Sequence, residues 1–216
     1  MRQHPVGILV GLAALVLAAP VHADRGALSL DLGTGFTSLA LPPPYAQRGS
    51  PAWTMALSVT AGVRFAVTHD LELSLTGFDE LPAGLQHSDV VVATVDSGSF
   101  SGTLRGNVSR FGLVAGLRFV TGLTVRWFAG LEVGWSRRSY ESLQLLDTAR
   151  PGSPDYGLGL QDFATDSLVL QPVAGLEWAF ADHWSTSLGL CLTALLGPEA
   201  AVGVSLSVSI SYVWFP

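Results

Sequence analysis

Residues 53–68 read Trp-Thr-Met-Ala-Leu-Ser-Val-Thr-Ala-Gly-Val-Arg-Phe-Ala-Val-Thr. The odd positions, from Trp53 to Val67, are apolar throughout. The even positions are small or polar, and Arg64 is among them. Side chains alternate between two faces along a β-strand, so this segment reads as a strand with one greasy face and one polar face. The C-terminus repeats the pattern. Val202, Val204, Leu206, Val208, Ile210, Tyr212 and Trp214 alternate with Gly203, Ser205, Ser207, Ser209 and Ser211. On a helix those serines would spread around the cylinder and leave no apolar stripe. A third row runs Leu123, Val125, Trp127, Ala129, Leu131, Val133 and Trp135. It faces Thr124, Arg126, Gly130, Glu132 and Gly134, with Phe128 as the exception.

Extended along the chain, the same reading gives eight strands: 27–40, 53–67, 71–79, 108–120, 123–139, 167–180, 184–195 and 201–215. Most exceed the usual strand of about 5–6 residues and match the roughly 9–11 tilted residues of a bilayer crossing. Charge tests the assignment. Asp31, Arg64, Glu72, Arg118, Arg126, Glu132 and Glu177 all fall on the polar phase, and only Asp79 and Arg137, close to strand ends, fall on the apolar one. All six tryptophans, at 53, 127, 135, 178, 184 and 214, lie on the apolar phase, most of them towards strand ends. Aromatic rings gather at the two interfaces of a membrane barrel. The predicted fold is therefore all-β: an eight-stranded antiparallel up-and-down transmembrane β-barrel, with ten strands as the alternative. A soluble lipocalin-type barrel would carry the opposite polarity, and a helical pair over 183–198 and 200–216 conflicts with the serine alternation.

Composition agrees. Of the 216 residues, 49% are hydrophobic and only 13% charged, against about 25% charged in soluble domains. Residues 1–23 read as an export signal: Arg2, an uncharged apolar stretch over Val6–Ala19, and a small-x-small cleavage site ending at Ala23. Cleavage after Ala23 leaves 24–216 as a single barrel domain. The net charge is −6 and every basic residue is arginine. An acidic chain without a basic tract is a poor nucleic-acid binder. The lone Cys191 has no disulfide partner, and no Cys/His cluster has metal-ligand spacing. No cofactor is expected.

The connections alternate in length. Short turns fall near Thr68–Asp70, Thr121–Gly122 and Ala181–His183. Longer connections cover Leu41–Ala52, 80–107 and 140–166, with a shorter one at Gly197–Ala200. Barrels of this class have short periplasmic turns and longer outer loops, which puts both chain ends in the periplasm. Three hairpins are alike: Gly62-Val-Arg-Phe65 leads to Gly77, Gly116-Leu-Arg-Phe119 to Gly130, and Gly175-Leu-Glu-Trp178 to Gly189. The whole pattern resembles the small bacterial outer-membrane β-barrels, including the barrel domain of the major outer-membrane protein A and its relatives. In that family the last strand ends in an aromatic residue read by the barrel assembly machinery. Here Ser211-Tyr-Val-Trp-Phe215 supplies it, followed by Pro216.

Three constellations could carry function. Arg64, Arg118 and Arg126, with Asp31, Glu72, Glu132 and Glu177, form a candidate polar network in the lumen. It is either a gated path or a static plug. An eight-stranded barrel is just wide enough for side chains to fill, which favours the plug. His87-Ser88-Asp89 holds the residue types of a hydrolase in an outer loop, but neighbours in sequence rarely converge as a triad. The Phe-x-His-x-Ser pattern of lipid A deacylase barrels is absent. Within 80–107, Val90–Val95 and Ser99–Leu104 read as strands projecting above the membrane or as an added pair. Loops on a rigid scaffold are where recognition lives. The expected function is an integral outer-membrane protein with a structural or surface-interaction role. A narrow channel for small or hydrophobic solutes and a lipid-modifying enzyme are the alternatives. The expected partners are outer-membrane lipids and, during biogenesis, the assembly machinery; the expected state is a monomer.

Overall fold

The computed structural model describes residues 25–44, 51–93, 99–122, 125–147 and 157–214. The expected signal segment 1–23, its cleavage site and Phe215 lie outside those residues. The strands are β1 (Leu28–Leu41), β2 (Ala52–Ala66), β3 (Leu71–Ala93), β4 (Ser99–Gly122), β5 (Val125–Asp147), β6 (Gly157–Gly159), β7 (Phe163–Ala181), β8 (Trp184–Leu196) and β9 (Ala201–Trp214). Eight of them close a ring. Each pairs antiparallel with its chain neighbour, β5 skips to β7, and β9 returns to β1. The short β6 pairs only with the tip of β5, outside the ring. Transmembrane alternation requires this closure, because a backbone group facing hydrocarbon has no water to bond.

The register is staggered. Partner by partner, Leu28 leads through Phe65, Leu73, Leu117 and Leu131 to Pro172. The β7–β8–β9 ladders then carry the path back to β1 at Ser38, ten residues above its start. Such a shear tilts the strands by roughly 35–45° and keeps the interior narrow.

Parity sorts the side chains as the sequence predicts. Leu32, Met55, Leu131, Leu190 and Leu206 point outward, and Met55 is 71% exposed. This belt would be a gross apolar patch on a soluble protein; it suits a hydrocarbon band about 25 Å tall. Aromatic residues rim it. Phe65, Phe119, Trp127, Trp184, Tyr212 and Trp214 lie towards the short-turn end, with Tyr212 edge-on to both Trp184 and Trp214. Trp53, Phe111 and Trp135 lie towards the other end, where Phe111 meets Trp135 edge to face. At one tight turn Gly122 adopts φ 116°, the left-handed region that glycine enters without strain.

The structure departs from the expected loops at 80–107 and 140–166. Residues 80–93 continue β3, 99–107 continue β4, and 141–147 continue β5. The ten-strand alternative is thereby corrected: the runs at Val90 and Ser99 lengthen existing strands. Two causes hid this. Register shifts between Glu80 and Ala83, His87 and Val90, and Arg105 and Asn107 break the period-two pattern. Above the belt the pattern also inverts. Leu85, Val90, Leu104, Val108, Leu143 and Leu145 point inward into an apolar core, while Gln86, Ser101, Arg105 and Gln144 point out. The outside medium there is water, so the polar side faces out.

The β2–β3 ladder ends at Ser58↔Glu80, although both strands continue. Above that point β3 has, among the described residues, no partner strand on its β2 side.

The belt makes a direct prediction. Leu131→Arg, outward and mid-belt, should lower folding stability in lipid by about 2–4 kcal/mol. Ser139→Arg, also outward on β5 but above the belt, should change it by under about 0.5 kcal/mol. Urea midpoints in lipid vesicles measure both.

Candidate functional site

The lumen carries nearly all the chemistry. It is layered because each strand contributes inward residues at its own height. Near the short turns, the lower ends of β1 to β5, β7, β8 and β9 converge. There Arg64 is the hub. Its Nε and Nη2 donate to Asp31 at 2.6 and 2.8 Å, and its Nη1 donates to Glu72 at 3.2 Å and Glu177 at 3.0 Å. Ser211 accepts a further bond from Nη2 at 2.7 Å. Arg118 donates to Glu72 at 2.7 Å and Glu177 at 3.0 Å, and Arg126 donates to Glu72 at 2.9 Å. Ser185 donates to Glu177 at 2.8 Å. Three guanidinium groups thus face three carboxylates across the ring. Burial of charge demands that neutrality.

Phe128, the exception in the sequence pattern, explains itself here. Its ring points inward beneath the Arg118 guanidinium, 4.7 Å from centroid to Cζ. It lies over Gly175, where an added Cβ would come within 2.5 Å of the ring.

Glu132 stands apart from this cluster. It lies two strands from Ser74 across the bare backbone of Gly116, and accepts a hydrogen bond from the Ser74 hydroxyl at 3.2 Å. A Cβ at Gly116 would come within 2.5 Å of Glu132 Cγ, so the missing side chain is the groove in which the glutamate rests. Around it is a cavity of about 160 Å³. Hydroxyls such as Thr60, Thr76, Ser205 and Ser207 line it, and Cys191 faces it as a half-buried thiol. Gln171 bonds Thr193 at 2.9 Å and Ser187 meets Ser209 at 2.7 Å on its walls.

A second ionic layer closes the cavity from above. Arg110 grips Glu80 through both Nε, at 2.9 Å, and Nη2, and its guanidinium sits 4.6 Å from the Phe78 ring centroid. Above it lies the apolar core of Leu39, Leu85, Leu104, Val108, Leu143 and Leu195. Arg138 is embedded beside that core, with Tyr140 stacked on Phe163. Burial pushes the Tyr140 phenol above its ordinary pKa, so it stays a neutral hydroxyl.

Sequence reasoning did not place Glu80, Arg110 or Arg138 in the lumen, and it assigned Arg138 to the charges in or near the 140–166 loop. Arg110 and Arg138 lay on the inward parity of the predicted strands 108–120 and 123–139, and that parity was the signal that could have found them. Glu80 fell one residue beyond its predicted strand. His87, Ser88 and Asp89 do not converge. His87 is buried and faces the lumen, Ser88 and Asp89 are exposed, and Asp89 adopts φ 56° at a register shift.

No family model and no curated protein matches the chain. Solved structures do. The Neisserial surface protein A superposes with a TM-score of 0.53 at 12% identity, covering 87% of this chain and 99% of that one. The outer membrane protein OprG from Pseudomonas aeruginosa gives 0.51 at 13% identity, covering 89% and 98%. At such identities the likeness is one of fold: the chain is an eight-stranded barrel of the outer-membrane type.

The two glutamate environments should respond differently to substitution. Arg64→Ala strips partners from Asp31, Glu72 and Glu177 and should cost about 3–5 kcal/mol, the usual result of breaking a buried pair from one side. Glu132→Gln removes a charge whose hydrogen bond comes from one serine, and should change stability by no more than about 1.5 kcal/mol, the size of one hydrogen bond. Equilibrium unfolding in detergent distinguishes the two.

Proposed function

We propose that the protein is a closed, non-enzymatic integral outer-membrane barrel, which presents the tall β3–β4–β5 wall outside the membrane as a structural or interaction surface. The observation that carries this reading is the interior. Among the described residues, a neutral ionic layer at the lower end, the Glu80–Arg110 pair above the cavity and an apolar core at the top fill the lumen in succession. The strand lengths support the second half of the reading. β3, β4 and β5 have 23, 24 and 23 residues, whereas β8 and β9 have 13 and 14. The surplus stands above the belt with a polar outer face, and loops and edges raised on a rigid scaffold are suited to recognition. Separation of His87 from Ser88 and Asp89 removes the best sequence support for a lipid-modifying enzyme.

Export through cleavage after Ala23, insertion by the barrel assembly machinery and a monomeric state belong to the same proposal. The membrane fraction should contain a species whose gel migration changes on boiling. N-terminal sequencing of the mature protein should begin at Asp24.

Purified protein in planar bilayers should give no stepwise conductance. Discrete openings in the unmodified protein would favour the narrow-channel alternative and remove the closed-barrel reading.

A further inference from the structure

Above the Glu80–Arg110 pair the inner wall carries a polar patch inside otherwise apolar surroundings. Its members are neighbours by register: Arg110 is the direct partner of Arg138 across β4–β5, and Ser136 of Ser167 across β5–β7. Two arginines placed opposite each other repel. Here both are buried, Arg110 at 3% and Arg138 at 1% exposure. Their surroundings differ. Arg110 has the two hydrogen bonds to Glu80. Arg138 donates its Nη2 to the backbone carbonyl of Glu199 at 2.7 Å, while the Glu199 carboxylate stays 3.8 Å away, beyond a hydrogen bond.

Seven buried polar atoms of this patch have no hydrogen-bond partner: Arg138 Nε, Arg138 Nη1, Arg110 Nη1, Ser136 Oγ, Ser167 Oγ, Tyr140 Oη and Glu199 Oε2. A buried polar group left unsatisfied costs about 1–3 kcal/mol, and native proteins hold only a few per hundred residues. The three guanidinium nitrogens can only donate. Their complement must be rich in acceptors, and because Glu80 and Glu199 already supply counter-charge, an anion would enter in place of the Glu199 carboxylate. A tetrahedral oxyanion supplies acceptors and charge together, through short charge-assisted bonds. The turn at 197–200 covers Arg138, and Glu199 is 19% exposed.

We infer that Arg138, Arg110, Ser136 and Ser167 form a binding site for a phosphate- or sulfate-class oxyanion, with Glu199 as the resident carboxylate that the incoming anion displaces. The site lies above the apolar belt: Arg137, the neighbour of Arg138, already points outward into water. Free phosphate and the headgroup of a phosphate-bearing lipid are both within its chemistry.

The test uses the full mature chain folded in zwitterionic detergent, with calorimetric titration at constant ionic strength in sodium chloride. One arm adds inorganic phosphate, and the other adds phosphatidic acid in mixed micelles. Saturable binding in either arm is expected. Glu199→Gln should tighten it at least threefold, and Arg138→Gln should weaken it at least tenfold. Binding confined to the lipid arm identifies a headgroup site; binding in both arms identifies a general oxyanion site. If Arg138→Gln does not fold, the Glu199→Gln comparison still decides. Absence of saturable binding by Glu199→Gln in both arms would leave the patch to ordered water and overturn the inference.

Discussion

A wall that faces hydrocarbon must satisfy all its backbone hydrogen bonds within itself. The rest of this structure depends on that constraint. It forces the strands into a closed ring, and it fixes the outer surface as a belt of leucine, valine and aromatic side chains. Asp79 and Arg137, near the upper edge of the belt, point out, but any charge deeper in it has one place to go. Inside a narrow barrel it must find an opposite charge, and the Arg64 hub with its three carboxylates and two companion arginines is the outcome. The three recurring hairpins follow the same logic. Each brings a charged residue to the lower mouth (Arg64, Arg118 and Glu177) two positions after an inward glycine, so the repeat in sequence becomes the ionic layer in space.

Where the surrounding medium changes, so does the code written on each strand. Along β5 the outward residues run Trp127, Leu131 and Trp135, then Arg137, Ser139 and Glu141. The inward residues run Arg126 and Glu132, then Leu143 and Leu145. One strand therefore obeys two opposite rules in succession. The register shifts near Ala83, Val90 and Asn107 mark the stretch where the barrel stops being a membrane protein and behaves like a water-soluble one, with its own dry core.

The sequence made the ring legible because the belt imposes strict alternation over long stretches, as in Trp53–Val67 and Val202–Trp214. Asp31, Arg64, Glu72, Arg118, Arg126, Glu132 and Glu177 could be placed inside for the same reason. Strand identity told only which wall a side chain faces, however. It did not tell that Glu132 would settle over Gly116 towards Ser74, away from the arginines, since that depends on stagger and on the room a glycine leaves. The upper half was hidden for a different reason. Polar outward residues such as Gln86, Ser101 and Asn107 look like loop, and each bulge shifts the phase by one. Arg110 and Arg138 were readable from parity alone. Their cross-strand pairing required the register.

The margin of β3 above Glu80, bare among the described residues, has a consequence for life among crowded neighbours. An unpaired strand border is a template on which another chain can crystallise its own backbone. Here Pro82 lacks the amide needed for such zippering. The kinks at Glu80/Ala83 and His87/Val90 chop the remainder into pieces too short and too twisted to copy. The barrel can thus raise an open flank into the medium without inviting sheet growth from one molecule to the next.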